Sequence, residues 1–467
     1  MPLSLMPVLD RPEVERIHER SLDLLQRVGI AYRTPRALEI LERRGCKVDY
    51  ERNWASLPRE LVEWAIEQAP RVVRLEARDP ARDVVLDGTR PHHATDSQGC
   101  QALDFETGEC RPSRLEDLRR GLLVADALDK IDIVHAMVAA NDVPAHVRTI
   151  RHFALAFTQT SKHVRTGVLH AGQVPFLVEM VRAVTGGAGF RPIFSTVDCT
   201  ISPLMHDGPM TEACIELARL KVPILMHPMP LAGGTSPVTP GGTILLHNVE
   251  FLSGLTLFQA VSPGTPIIYA AGAAQLDMTT GCYRNSANGN AMRLALAEMA
   301  HFYELPVNLM GLSTSASRLD ALYGYEATAA CLLSLLARAD EVYGIGLLGS
   351  SQILSLDKLV LDNHLTRELE IMVRSVGVDE EHLQADLIER VGIGRHYLKD
   401  PQTLAWIRKE YVPVWPPVGR DMMEIIHREA AEILRSHRPA ALPDGAEEKL
   451  EAIVAEADQK LAQAHVA

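Results

Sequence analysis

Polar side chains stand directly after short apolar runs at repeated points along the middle of the chain. Carboxylates in such places could pair with a cationic ligand, and amides, hydroxyls and imidazoles could hydrogen-bond it. The candidate binding residues are Asp96, Gln98, Asn141, Thr166, Asp198, His227, Ser313 and Ser315. Asp96 and Asp198 are the leading charged candidates, although a loop aspartate can instead do no more than cap the next helix. We assign no catalytic residue from these patterns.

A glycine-rich loop, residues 233–242, precedes a long helical pattern and brackets several hydroxyls with two glycine pairs. Glycine lets backbone approach a large ligand closely. We therefore expect Gly234, Thr235, Ser236 and Thr239 to lie near a large ligand such as a cofactor. A helix cap by Thr239 or Thr243 would explain part of the loop without any ligand.

A zinc site is a weaker interpretation of the residues at the same strand ends. Cys199, His206 and His227 lie near them, but no standard ligand spacing joins these residues, so we assign no metal site and leave a dispersed zinc site as an open alternative. The seven cysteines form no CxxC pair, which favours a reducing compartment over a disulfide framework.

Aromatic residues make up only 5% of the chain, so a dense aromatic cage is not evident. Tyr269, Tyr283, Tyr323 and Tyr343 nevertheless flank predicted strand ends, where a ring could contact a cation.

The elements that must position these residues alternate regularly. The eight strand candidates are 92–96, 131–138, 163–168, 192–198, 223–227, 266–271, 306–311 and 341–347. Helical patterns lie between them at 115–128, 147–157, 243–261, 291–303 and 321–337. Eight such units predict a (β/α)8 barrel, in which chemistry belongs at the carboxyl ends of the strands. A doubly wound open sheet is the second choice, but neither a GxGxxG nor a Walker A sequence is present.

The barrel is expected to span residues 91–400. Residues 1–90 are predicted to form a mainly helical cap, with strands near Val72–Leu75 and Val84–Leu86. Residues 401–467 are predicted to form a helical extension that packs on the barrel or on another subunit of a homo-oligomer.

Composition excludes several classes of function. With 47 Lys and Arg against 60 Asp and Glu, the net charge of −13 does not suit a nucleic acid backbone. The first residues carry no basic segment followed by a long apolar one, and no long apolar run follows elsewhere. The sequence therefore predicts a cytoplasmic protein without membrane spans.

Several stretches taken together resemble the trimethylamine methyltransferase (MttB-like) superfamily, including its glycine betaine methyltransferases without pyrrolysine. The stretches that carry the resemblance are 104–112, 199–204, the loop through Thr239, 263–269 and 394–398. The resemblance implies a barrel whose mouth receives a methylated amine and docks a corrinoid-bearing partner protein. The cobalt of that partner would act as the nucleophile, so no cofactor is expected to stay bound to this chain.

One departure concerns residues 313–320, where members of this family tend to carry an acidic and lysine-containing segment. The chain also lacks the pyrrolysine of the trimethylamine enzymes, which favours a quaternary amine as substrate. A betaine would need a partner for its carboxylate, and Arg318 with Ser313 and Ser315 are the candidates. A barrel that binds without turnover, or a zinc-dependent methyltransferase, remains as an alternative.

Overall fold

The computed structural model of the protein describes residues 7–187, 189–281, 283–410, 415–417 and 419–466. The N-terminal residues 1–6, considered above for a targeting signal, and Cys282 lie outside these ranges.

Eight parallel strands close into a barrel, which confirms the predicted fold class. In chain order they are β1 (His92–Thr95), β2 (Ile133–His135), β3 (His163–Arg165), β4 (Phe194–Asp198), β5 (Ile224–Met226), β6 (Ile267–Ala270), β7 (Val307–Met310) and β8 (Glu341–Ile345). Each strand pairs with the next along the chain, and β8 returns to pair with β1. Nearly every strand residue is buried, as expected when helices cover a parallel sheet from outside.

One long helix follows each strand and packs outside the barrel. These helices are α1 (Leu115–Ala127), α2 (Ala145–Gln159), α3 (Val174–Val184), α4 (Gly208–Arg219), α5 (Pro240–Val261), α6 (Ala287–Phe302), α7 (Ala321–Leu336) and α8 (Leu356–Val373). The start of α5 follows from its sequence, because the Thr239 side chain accepts from Gly242 N and Pro240 takes the first helical position. Helix α5 is long and apolar enough to cross a membrane, but 83% of its apolar window is buried inside the protein.

The N-terminal region adds helices that cover one side of α5, together with small strands. Its helices are Arg11–Arg27, Pro35–Glu42 and Arg59–Gln68, and a short 3-10 helix spans Pro80–Arg82. The two strands predicted in this region are observed at Val73–Leu75 and Val84–Leu86, and they pair antiparallel. A sheet of Ile30–Tyr32, Lys47–Asp49 and Trp54–Ser56 was not predicted, and it is completed by Met205–His206 from the loop after β4.

Short strands also order the loops at the barrel mouth. They are Gln101–Leu103 with Cys110–Pro112, Leu347–Leu348 with Ile353–Leu354, and Leu231–Ala232 with Ala274–Leu276 and Tyr283–Arg284. A short 3-10 helix at Ala171–Gln173 precedes α3.

The C-terminal region adds further helices, of which the last two pack onto barrel helices. The C-terminal helices are Glu380–Leu383, Ala385–Val391, Pro401–Glu410, Met422–Ser436 and Ala446–Val466. The last of them lies against α2 and α3 and buries Leu450, Val454 and Ala457. Arg151 on α2 pairs with Glu451 at 2.7 Å along the same contact.

We expect Leu450→Ala to lower the free energy of unfolding by about 2–5 kcal/mol, because it empties a site that is 1% exposed. Urea unfolding of the purified protein measures the change. Leu404→Ala, at a position that is 57% exposed, serves as the control. Equal losses from both variants would mean that the last helix is not packed as described.

Candidate active site

A cavity of about 520 Å³ lies at the carboxyl ends of the barrel strands. Its lining is mostly apolar, with Val197, Leu225, Met310 and Gly272 among its residues. Polar side chains enter it as well, and apolar surface with placed polar groups is the usual character of a site that binds a small organic molecule.

Asp96 is the carboxylate of this cavity, and it follows directly after β1. The side chain is 3% exposed and accepts hydrogen bonds from Ser351 Oγ at 2.7 Å, Ser97 N at 2.8 Å and Ser313 Oγ at 3.2 Å. All three donors are neutral, and no cationic side chain among the described residues forms an ion pair with it. Burial raises the pKa of Asp96 above its ordinary value, while these donors act in the opposite direction.

Gly344 on β8 allows Ser313 to reach Asp96. Its φ is +117°, and a Cβ at this position would lie 2.4 Å from Ser313 Oγ. A side chain here would therefore displace Ser313 and remove one of the donors to Asp96.

Two tyrosines and two histidines form much of the remaining polar wall. Tyr283 donates to Asn285 Oδ1 at 2.8 Å, and Tyr343 meets the ring of His227 edge-on at 5.9 Å between centroids. Burial lowers the pKa of His227 to about 4 and that of His135 well below its ordinary value, and the charge of Arg165 adds to both shifts. Both imidazoles are therefore neutral at pH 7.

The floor of the cavity is a polar network across the barrel interior. Arg165 on β3 pairs with Glu341 on β8, and Asn308 on β7 donates to the same Glu341 oxygen at 2.7 Å. All three side chains are fully buried. Glu341 Oε2, Asn308 Oδ1 and both ring nitrogens of His135 have no hydrogen-bond partner within the described residues, so polar atoms remain beneath the cavity for a bound molecule or water.

Four of the predicted binding residues come together here. Asp96, Gln98 and His227 line the cavity. Ser313 does not line it but donates a hydrogen bond to Asp96. Gln98 is exposed at the mouth with φ +70°.

Four other candidates do not line this cavity: Asn141, Thr166, Asp198 and Ser315. Asp198 points outward because it follows Val197, which faces the cavity, and successive strand residues face opposite sides. It is buried near His206, with 3.6 Å between Oδ2 and Nδ1. Asn141 instead donates to the carbonyls of Cys100 and Ser113, and Thr166 Oγ1 accepts from Ala136 N.

Ser315 belongs to a neighbouring cavity of about 590 Å³, which Gln275 and Asp277 also line. Its hydroxyl donates to Glu326 Oε1 at 2.6 Å. Arg318, the sequence candidate for binding a carboxylate, has a side chain that is 83% exposed and pairs with Asp320 at 3.4 Å. The structure thus places this guanidinium at the surface, with a partner of its own and outside the lining of both cavities. Gly346 and Gly349 shape the loop after β8, both at positive φ.

The glycine-rich loop stands beside the cavity mouth. Leu231 and Met229, just before it, line the cavity, whereas Gly234, Thr235, Ser236 and Thr239 do not. Thr235 Oγ1 accepts from Leu231 N, and Ser236 Oγ bonds to Thr243 Oγ1, so these hydroxyls hold the loop together.

No group of three or more His, Cys, Asp or Glu side chains within the described ranges is arranged to hold a metal ion. Cys199 and His227 both line the cavity, whereas His206 stacks on Tyr32 outside the barrel, at 4.7 Å between ring centroids. The three zinc candidates of the sequence are therefore not a ligand set.

Reasoning from strand ends alone missed His135, Asn308 and Glu341. They lie inside strands, where polar residues in otherwise apolar runs were the available signal. Tyr283 and Tyr343 were singled out from the sequence, and both line the cavity.

The comparisons with known proteins agree with this architecture. The family model described as trimethylamine methyltransferase (MTTB) matches residues 2–462. The chain is 30% identical over 462 residues to trimethylamine methyltransferase MttB of Desulfitobacterium hafniense, covering 96% of this chain and 93% of the relative. It is 26% identical to a glycine betaine methyltransferase of the same species, covering 98% of each.

Among solved structures, the monomethylamine methyltransferase MtmB of Methanosarcina barkeri shares the fold. Its TM-score is 0.53 at 11% identity, covering 97% of this chain and 94% of that one. The hydroxylamine complex of MtmB gives a TM-score of 0.57 at 10% identity, covering 98% of this chain and 88% of that one. With the family model spanning almost the whole chain, this protein belongs to the trimethylamine methyltransferase family, a family of methyltransferase enzymes.

Proposed function

We propose that this enzyme transfers a methyl group from a quaternary amine to the cobalt of a corrinoid carried by a partner protein. The single observation that carries the choice of substrate is Asp96, a buried carboxylate in a largely apolar cavity with only neutral hydrogen-bond donors around it. A buried charge without an opposite charge is costly, so a cationic ligand would be favoured there.

The polar wall suits a cation that has no N–H group. A quaternary nitrogen cannot donate a hydrogen bond, so it needs a negative charge and apolar or aromatic surface rather than a ring of acceptors. Asp96 supplies the charge, and Tyr283, Tyr343 and Met310 supply the surface.

No general acid is needed for this reaction. A quaternary amine leaves as a neutral tertiary amine when it loses a methyl group, so no proton is required. The neutral state of His135 and His227 is compatible with that chemistry. The contribution of the chain is to align the methyl group with its acceptor and to exclude water.

The surface around the mouth fits a bulky partner. Leu169, Met229, Val238 and Met278 are between 46% and 76% exposed, and we call them the apolar rim. Leu169 and Met229 line the cavity. Val238 and Met278 lie beside Gly233 in the glycine-rich loop, where both would touch an added Cβ. A corrinoid presented by the partner protein would supply the methyl-accepting nucleophile, and we propose that the rim and Gly234, Thr235, Ser236 and Thr239 lie against it. We place this pair of proteins in the cytoplasm, with the enzyme as a homo-oligomer.

Activity should fall toward acid pH because of Asp96. Its folded pKa is raised by burial, so the carboxyl becomes neutral at a pH above the ordinary aspartate value of about 3.9. A quaternary amine keeps its charge at every pH, so only the protein titrates. We expect kcat/KM to be fully present above the raised pKa and to be lost as pH falls through it. A pH profile between about 4 and 8 measures this, and a profile that stays flat to about pH 4 would contradict the assignment.

The proposal is tested by a screen of methylated amines. Purified enzyme is mixed with a corrinoid protein held in the Co(I) state, and the change of the corrinoid spectrum is followed. We expect turnover with at least one quaternary amine and none with trimethylamine. Turnover with trimethylamine alone would overturn the substrate class, and silence on every amine would favour a barrel that binds without turnover.

A further inference from the structure

Two side chains at the bottom of the main cavity carry polar atoms that no neighbouring group uses. His135 and Asn308 both line the cavity, and they are 4% and 0% exposed. Both ring nitrogens of His135 and the Oδ1 atom of Asn308 lack a hydrogen-bond partner in the part of the chain that the structure describes. Buried polar atoms are nearly always hydrogen-bonded, which indicates a partner that enters the cavity.

The orientation of the Asn308 amide follows from its neighbour. Its Nδ2 donates to Glu341 Oε1 at 2.7 Å. The reversed amide would bring two acceptor oxygens together, so Oδ1 faces away from Glu341 and stays free as an acceptor. In the pairing of β2 and β3, His135 is the partner of Arg165, so His135 and Asn308 flank the same ion pair from two sides. They line the cavity, whereas Arg165 and Glu341 do not.

This floor offers an uncharged combination of donor and acceptor. The neutral imidazole of His135 carries one N–H group and one acceptor nitrogen, while Asn308 Oδ1 only accepts. A hydroxyl group both donates and accepts, so it complements the two together. A carboxylate only accepts, and it would leave Asn308 Oδ1 unpaired. Within the described ranges no lysine or arginine lines the cavity, and the carboxylate of Asp96 does, so the lining disfavours a second anion.

Asp96 and this floor lie at different depths of one cavity. Ser313, which donates to Asp96, follows the end of β7, whereas Asn308 lies within that strand. Met310 lines the cavity between them, and two residues of a strand separate it from Asn308 by about 7 Å. A ligand held at both ends therefore carries its two polar groups on a short alkyl chain.

We propose that the methyl donor is a quaternary ammonium alcohol, with its ammonium group at Asp96 and its hydroxyl group between Asn308 and His135. The hydroxyl donates to Asn308 Oδ1 and accepts from the N–H group of His135. The inference rests on the proposed function for the position of the ammonium group. When one C–N bond breaks, its electron pair stays on nitrogen and the methyl group passes to the nucleophile of the corrinoid partner. The product is a neutral tertiary amino alcohol, and no proton moves.

A carboxylate bound by Arg165 is the competing interpretation. Arg165 Nη2 also lacks a hydrogen-bond partner within the described residues. Its guanidinium does not line the cavity, however, and it already pairs with Glu341 at 2.5 Å. This interpretation predicts that glycine betaine binds more tightly than a quaternary ammonium alcohol. A floor that only holds water predicts no preference for a hydroxyl group.

The test is calorimetric binding of choline, propyltrimethylammonium, glycine betaine and tetramethylammonium, without any corrinoid protein. In propyltrimethylammonium a methyl group replaces the hydroxyl group of choline. Wild type should bind choline about 10- to 100-fold more tightly than this analogue, which leaves the buried polar atoms unpaired. Choline should also bind more tightly than glycine betaine. Asn308→Leu should remove most of the preference for choline and leave tetramethylammonium binding unchanged.

Asn363→Leu is the matched control. Asn363 on α8 is 3% exposed, and its Nδ2 also donates to a carboxylate, that of Asp129 at 3.1 Å. It does not line the cavity, so this variant should keep the wild-type order of the four ligands. His135→Phe keeps the test valid if Asn308→Leu does not fold, because it keeps an aromatic ring and removes both ring nitrogens. It should lose the preference for choline as well.

Two results would overturn the proposal. One is a wild type that binds propyltrimethylammonium or glycine betaine at least as tightly as choline. The other is a pair of variants, Asn308→Leu and His135→Phe, that only melt at lower temperature while keeping the preference. A preference for choline without methyl transfer to a corrinoid protein would instead reject the proposed function and leave the hydroxyl site in place.

Discussion

Asp96→Asn is expected to lower kcat/KM for a quaternary amine by about 100- to 1000-fold. A unit charge about 4 Å from the ammonium nitrogen is worth about 4 kcal/mol at an effective dielectric constant of about 20, and about 1.4 kcal/mol corresponds to a tenfold change in rate. The asparagine has the same shape, and its oxygen can still accept from Ser313 and Ser351. Steady-state kinetics with the corrinoid partner measures the effect, while thermal unfolding shows whether the fold is kept.

Asp142→Asn is the matched control for this experiment. Asp142 also follows a barrel strand, but its carboxylate accepts from Leu115 N at the start of α1, away from the cavity. We expect its activity to stay close to that of wild type. If Asp96→Asn kept half of the wild-type kcat/KM, the ammonium site would have to be placed elsewhere.

The largest effect on stability is expected from the ion pair across the barrel interior. Arg165→Met leaves the fully buried Glu341 without its cation and should lower the free energy of unfolding by about 3–5 kcal/mol. Chemical denaturation measures the loss. The double variant Arg165→Met with Glu341→Gln should recover part of it, because it buries no unpaired charge.

Asp129→Asn is the surface comparison. Asp129 pairs with Arg367 at 2.9 Å, but the two side chains are 58% and 45% exposed, so its loss should cost less than about 1 kcal/mol. Similar losses for the surface and the interior variants would contradict the full burial of the Arg165–Glu341 pair described above.

The barrel was predictable because its strands are apolar runs that repeat with the helices between them. Each of the eight predicted runs contains one observed strand, and the observed strands are shorter by a few residues. The sheet of the N-terminal region escaped notice because its strands have three residues each. Strands this short show no recognisable alternation of apolar and polar residues. The pairing of one of them with residues 205–206 depends on the tertiary structure.

The site was predictable only in part, because a strand end does not reveal which way a side chain points. Asp96 and Asp198 both stand at the ends of strand patterns. Asp96 faces the cavity, whereas on the strand of Asp198 it is the preceding residue, Val197, that faces the cavity, so Asp198 points out of the barrel.

The most direct test of the central claim is the stoichiometry of one methyl transfer. Enzyme, a Co(I) corrinoid protein and a quaternary amine with ¹³C-labelled methyl groups are mixed, and the products are counted by NMR. We expect one tertiary amine for each methyl group that appears on the corrinoid, with no label in methanol or other products. Release of the tertiary amine without labelled corrinoid would contradict the account, as would a labelled corrinoid formed from trimethylamine and from no quaternary amine.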